Sequence, residues 1–328
     1  MRISVKAPLK AILAGEHAVV YGYPAVAVAL DTYVRVVAEP GDDSFRVETE
    51  LSCEGDVMAD ITRDGNVKDF RSESLREELT YVATAVRKAS EEFDAHPSNL
   101  RIMSEAPAAS GLGTSAAITA AVLLALAEVS NVDVSREEIR KLVREVELEV
   151  QGKASWTDAT VVTYGGFVRV SGREFKPIEP ERDPVLVVAH SQEPSRTGEM
   201  VRRVAEFRER LGIVDGIMKL IGKLVEDLEV ALHDGDLRTV GELMNVNHGL
   251  LAALNVSTRA LEEIVNVLRN AGALGAKVTG AGGGGCAVAL FEREEDAKRA
   301  VETLSALGYE AFVTRPSPCG VKTEGSGS

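Results

Sequence analysis

The residues best suited to chemistry fall in three places. Between Pro107 and Ala117 the chain reads Pro-Ala-Ala-Ser-Gly-Leu-Gly-Thr-Ser-Ala-Ala, with glycines and hydroxyls running straight into an apolar helical pattern. A helix N-terminus carries unsatisfied N–H groups and a partial positive charge, and glycines let phosphate oxygens approach the backbone. The segment reads either as a phosphate cradle without the Walker lysine or as a structural helix entered by a glycine turn, and spacing alone leaves both open.

The second place is Lys277-Val-Thr-Gly-Ala-Gly-Gly-Gly-Gly-Cys286, where five of the six residues from Gly280 to Gly285 are glycine. An ordinary hairpin between two apolar strands avoids that loss of backbone entropy. Close approach of the backbone to another group is one explanation, and a wide connection with several left-handed residues is the other. The third group is scattered: Lys10, Glu16 and His17 near the start, then Glu147 and Asp158. Glu147 falls close to the apolar stripe of Ile139, Val143 and Val150 on a helical wheel, so its carboxylate asks for a partner. Each has a plainer reading alone. Glu147 suits a surface ion pair, Asp158 a helix N-cap, Lys10 a strand-edge guard and His17 a polar turn residue.

The elements that must position these groups can be read from periodicity. Ile3 to Lys6 alternates with period two and Ala25 to Val37 is rich in Val and Ala, so both are expected as strands flanking a turn that contains Glu16 and His17. Ser74 to Phe93 reads as a helix and Leu100 to Met103 as a short strand running into Pro107. Gly111 to Val129 is small and apolar throughout, the pattern of a helix buried on all sides. Ser135 with Glu138 forms a capping box, and the helix it opens stops near Gly152. Pro184 to Ala189 reads as a buried strand opening a second half, residues 197 to 271 as three or four amphipathic helices, and the remainder as β-loop-β-α-β.

With 37 Lys and Arg against 51 Asp and Glu, the net charge of −14 argues against nucleic-acid binding and against an anionic membrane surface. The longest apolar stretch, Ala116 to Ala127, is shorter than the ~18 residues of a membrane span. The first residues lack a secretory pattern, so a cytoplasmic location is expected. Cys53, Cys286 and Cys319 are too scattered for a disulfide framework or a zinc site.

Taken together and in this order, Lys6-Ala-Pro-Leu-Lys10, Gly111-Leu-Gly-Thr-Ser-Ala-Ala117 and Thr279-Gly-Ala-Gly-Gly-Gly-Gly285 resemble the GHMP kinases over nearly the whole chain. Gly15-Glu-His-Ala-Val-Val-Tyr-Gly22, Lys153-Ala-Ser-Trp-Thr-Asp158, Thr163-Tyr-Gly-Gly166 and Asn245-Val-Asn-His-Gly-Leu-Leu251 are most like the branch that acts on mevalonate. The resemblance implies an α/β (α+β) fold in two domains, residues 1–180 and 181–323, with the active site in the cleft between them. The closing Glu324-Gly-Ser-Gly-Ser, residues 324–328, reads by its composition as a flexible tail. It implies an enzyme that uses ATP and Mg²⁺ to phosphorylate the primary hydroxyl of mevalonate in isoprenoid synthesis. Its alternatives are another GHMP activity, on phosphomevalonate or on the 3-hydroxyl of mevalonate or as a decarboxylase, and a nucleotide-binding regulator without catalysis. A homodimer is compatible with it.

Carried over by position, the resemblance makes Asp158 the catalytic base and Lys10 the lysine beside the transferring phosphoryl group. Pro107, Ala108, Ala109, Ser110, Gly111, Leu112, Gly113, Thr114, Ser115 and Ala116 would wrap the ATP phosphates. Ser115 and Glu147 would hold magnesium. Glu16, His17, Thr197, Gly280, Ala281 and Gly282 would face the substrate. Three positions depart from the family pattern: Leu9 and Ala109 stand where glycine is usual, and Trp156 where proline or glycine is common. Leu9 and Trp156 flank the expected catalytic pair, and Trp156 is expected to wall the substrate pocket.

Overall fold

The computed structural model describes residues 2–49, 57–68, 76–106, 110–195 and 197–325. Two long antiparallel strands, β1 (Ile3–Ala14) and β2 (Ala25–Pro40), form the spine of the first sheet. Val26, Val28 and Leu30 of β2 face the main apolar core, whereas Ala27 and Ala29 face a smaller cluster on the other side. This two-sided burial follows from period-two alternation in a strand whose residues are apolar at both phases.

The chain continues through β3 (Phe45–Thr49), β4 (Val57–Ile61), β5 (Val67–Lys68), α1 (Arg76–Phe93), β6 (Ser98–Ser104), α2 (Thr114–Val129), α3 (Arg136–Gln151), α4 (Thr157–Tyr164), β7 (Phe167–Ser171) and β8 (Glu174–Ile178). A second unit then carries β9 (Val185–His190), α5 (Thr197–Arg210), α6 (Ile213–His233), α7 (Leu237–Ala253), α8 (Arg259–Asn270), β10 (Gly275–Val278), β11 (Cys286–Phe291), α9 (Glu294–Ala306) and β12 (Glu310–Thr314). A last strand, β13 (Lys322–Thr323), pairs with β1. Among the described residues the first sheet runs β13-β1-β2-β6-β3-β4-β5, with β7 also on β2 and β8 on β7; the second runs β10-β11-β9-β12. The fold is mixed α/β, and the break between its sheets falls between Ile178 and Val185.

α2 is the centre of the first unit. It lies on β1 and β2 with α1, α3 and α4 around it, so its almost wholly small, apolar sequence meets neighbours on every side. Each of its buried Ile118, Val122, Leu123 and Leu126 side chains contributes about 1.5–3 kcal/mol by leaving water. α3 begins at the Ser135–Glu138 capping box and ends at Gly152, whose left-handed backbone stops the helix.

The division of the chain is not linear. Ser317 and Gly166 join by backbone hydrogen bonding, Ser317 also bonds Ala29, and β13 closes against β1. Residues 315–324 thus return to the first sheet. The tail expected from 324 onward is corrected at its first residue, because Glu324 N–H donates to Ser4 O at 2.7 Å and its carboxylate takes the Ser4 hydroxyl at 2.8 Å.

Candidate active site

Lys10 sits where the register between β1 and β2 shifts, and α2 starts beside it. The Lys10 N–H donates to Leu112 O at 2.9 Å, and its ammonium lies 3.3 Å from Gly111 O and 3.2 Å from the Asp158 carboxylate. The lysine passes through space left by Gly113. That residue has φ +71°, and a Cβ there would stand 2.8 Å from Lys10 Cε. Gly113 is also the N-cap of α2, so the first-turn N–H groups have no capping side chain from that position. Ser110 Oγ and Thr114 Oγ1 are buried and have no hydrogen-bond partner among the described residues. Buried hydroxyls of this kind at a helix N-terminus suit an anion that supplies the missing acceptors.

α3 and α4 deliver the two carboxylates. Glu147 is buried, and its Oε2 has no partner among the described residues. Burial, reinforced by the charge of Asp158, pushes its carboxyl well above the ordinary range, against the pull of Lys10 and Arg144. Asp158 lies in the first turn of α4, where the helix dipole favours an anion. Its side chain is a quarter exposed. Among the described residues no three His, Cys, Asp or Glu side chains gather into a ready-made metal cage.

Two residues singled out for their bulk do not face the cleft. Leu9 is fully buried in the main core, on the opposite face of β1 from Lys10. The Trp156 ring packs beside Ile12, Val168 and Val170, and the Arg140 guanidinium lies over it at 4.6 Å. The expectation that Trp156 walls the pocket is therefore corrected. It holds the start of α4 against Arg140, which also bonds Thr160 Oγ1 at 3.2 Å and pairs with Glu137 at 2.7 Å.

The turn after β1 meets the second unit. Glu16 forms a fully buried ion pair with Lys277 of β10 and takes a hydrogen bond from Asn247 Nδ2 at 2.9 Å. His17 adopts φ +61° and its Nε2–H donates to Ala281 O at 2.9 Å; burial lowers its pKa, so it stays neutral. The glycine loop lies against the α2 entry. A Cβ on Gly280 would stand 3.0 Å from Gly111 O, and one on Gly285 would stand 2.9 Å from Ser110 O. Side chains there would push the two loops apart, which explains the glycine run.

These groups border one cleft of about 1150 Å³, a volume that includes space open to solvent, which brings together Lys10, Glu16, His17, Ser115, Glu147 and Asp158 with Thr197 and Gly280–Ala281. Ser110, Gly111, Gly113, Thr114 and Ala116 line it as well, while Leu112 is buried behind and Gly282 lies farther along its loop against Val256 O. Pro107, Ala108 and Ala109 lie outside the described residues. Sequence reasoning did not single out Lys277, Asn247 or Lys153. Lys277 carried a readable signal, since it is the one charge in an otherwise apolar strand.

The chain matches the models described as GHMP kinases N terminal domain, over residues 80–166, and GHMP kinases C terminal, over residues 228–310. It is 38% identical to the mevalonate kinase of Pyrococcus horikoshii, with 98% of each chain covered. The crystal structure of Methanococcus jannaschii mevalonate kinase superposes with TM-score 0.81 at 30% identity, covering 97% of this chain and 99% of that one. The L. major mevalonate kinase in complex with R-mevalonate superposes with TM-score 0.81 at 26% identity, covering 96% of each.

Proposed function

The chain belongs to the GHMP kinase family, and from that premise we infer that its cleft transfers the γ-phosphoryl group of ATP to the primary hydroxyl of mevalonate. The observation that carries this reading is the Lys10–Asp158 pair at 3.2 Å, set beside a glycine-led helix N-terminus in one cleft. Phosphoryl transfer asks the protein mainly for positioning and for relief of charge. The first-turn N–H groups of α2 and the hydroxyls of Ser110, Thr114 and Ser115 hold the nucleotide phosphates. Lys10 offsets charge on the moving group.

Asp158 orients the acceptor hydroxyl and takes its proton while that oxygen bonds the γ-phosphorus and the bond to ADP breaks. His17, Thr197 and the Gly280–Ala281 backbone border the acceptor. Glu16 stands behind them with its carboxylate engaged by Lys277 and Asn247. Magnesium fits the residues present, because Glu147 offers a buried carboxylate oxygen unpartnered among the described residues and Ser115 a hydroxyl on the cleft wall, both hard donors. When bound, the ion supplies charge neutralisation on the phosphate oxygens.

Among the described residues that line the cleft, the cationic side chains are Lys10 and Lys153. Arg202 is 70% exposed and points to Glu206 at 3.8 Å. The test is ATP consumption over a panel of mevalonate, phosphomevalonate, homoserine, shikimate and galactose, with phosphorus NMR of the product. Turnover with mevalonate and phosphate on its primary hydroxyl is expected, and preference for any other acceptor overturns the reading.

A further inference from the structure

Lys277 is fully buried in β10, with Ala276 and Val278 on either side packed into the apolar core of the second unit. Its ammonium reaches out of that unit. It pairs with the Glu16 carboxylate, donates to Ile12 O of β1 at 3.1 Å and turns back to its neighbour's carbonyl, Val278 O, at 2.5 Å. An ammonium has three protons, and all three have acceptors here. The other Glu16 oxygen takes the Asn247 amide of α7. Neighbouring residues repeat the tie: Ile12 N–H donates to Thr279 Oγ1 at 2.8 Å, and His17 to Ala281 O at 2.9 Å. The run 277–281 of one unit is thereby locked to the run 12–17 of the other.

Buried ion pairs contribute little net stability, because desolvating both charges offsets their attraction, and apolar residues of similar volume serve about as well. What a fully satisfied pair does supply is a fixed geometry. This one fixes the two runs that carry His17 and Ala281 to the acceptor side of the cleft. It lies one residue pair along β1 from Lys10, so any slip in register also moves the lysine that faces Asp158.

We propose that Lys277 is a positioning residue which, through Glu16 and Asn247, locks the turn at Gly15–His17 to the glycine loop and so sets the geometry of the acceptor site. The kinetic part rests on the mevalonate reading above; the structural part does not. Removing one charge alone would strand the other, so the informative variant is Lys277→Met with Glu16→Gln, which removes both and keeps their volumes. Two readouts are taken well below its melting temperature. Hydrogen exchange of peptides spanning 12–18 and 277–282 is expected to speed by about tenfold while β9 is unchanged. The KM for mevalonate is expected to rise by about tenfold, with the KM for ATP within about twofold, as a displaced positioning group implies.

If the folded double variant keeps native exchange in both segments, or keeps a native KM for mevalonate despite faster exchange, the proposal is overturned. If that double variant does not fold, Lys277→Leu with Glu16→Gln, which also strands no charge, carries the same two readouts, and native exchange or a native KM for mevalonate in it overturns the proposal in the same way. If the wild-type enzyme does not use mevalonate, the functional reading fails, while the exchange experiment still decides whether Lys277 locks the two runs.

Discussion

Lys10 Nζ and Asp158 Oδ1 stand 3.2 Å apart, with the lysine side chain 3% exposed and the aspartate 25%. The carboxylate therefore keeps a face toward the cleft that an acceptor hydroxyl can reach, while the ammonium is committed to its surroundings. Asp158→Asn, nearly isosteric, should leave ATP affinity close to native and lower kcat by about 10²-fold or more. Lys10→Met should also lower kcat, and the double variant should lose much less than the product of the single losses. Near-native turnover in Asp158→Asn would reduce that residue to an orienting or capping role.

Gly113→Ala places a methyl group 2.8 Å from Lys10 Cε at a backbone angle that L-residues rarely adopt. The lysine must shift, and the strained backbone costs about 1–3 kcal/mol. Steady-state kinetics should show a lower kcat together with a lower melting temperature. A loss of stability with native kcat would mean that the placement of Lys10 tolerates the shift.

Glu147→Gln keeps the side-chain shape and removes a buried carboxylate. The metal-free variant should melt no lower than the native protein, whereas its affinity for Mn²⁺ in the presence of a nucleotide, read by electron paramagnetic resonance, should weaken. A large drop in melting temperature with native metal affinity would make Glu147 a structural acid.

Burial lowers the pKa of His17, His190 and His248 below the ordinary 6.5. The unfolded chain takes up these protons near pH 6.5, the folded one only at lower pH. The stability that depends on their neutral forms is thus complete above that point and is lost as pH falls through the folded pKa values. Melting temperature should fall as the pH drops below the ordinary histidine range, and less steeply in His17→Gln. An equal slope in that variant would remove His17 from the account.

Trp156→Leu should lower stability by about 1–2 kcal/mol through loss of the stacked Arg140. The order of preference across the acceptor panel should not change, because the ring faces away from the cleft. A widened acceptor range would restore Trp156 to the pocket wall.

Much of this architecture was legible because it is written in short-range signals. The Ser135–Glu138 box, the glycine stop at 152 and the unbroken apolar face of α2 each act within a few residues. What the sequence did not disclose depends on contacts far along the chain. That Lys277, 261 positions away, takes the Glu16 carboxylate could not be read from either local motif. Trp156 looked like a pocket wall because it is two residues from Asp158, yet one helical turn aims neighbouring side chains in different directions. The strands β3 to β5 carry too few residues each for periodicity to declare them.

The return of residues 315–324 to the first sheet bears on how the protein is made. β1 lies beside the N-terminus of α2, yet its outer edge is paired with β13, which leaves the ribosome only after every helix of the second unit. Until then β1 offers unpaired backbone groups along that edge, an opening for mispairing with another chain. The first unit can gather its core before the second is made, but it cannot seal its sheet until Lys322 and Thr323 have emerged, so β1, made ahead of every other described strand, is among the last to be finished.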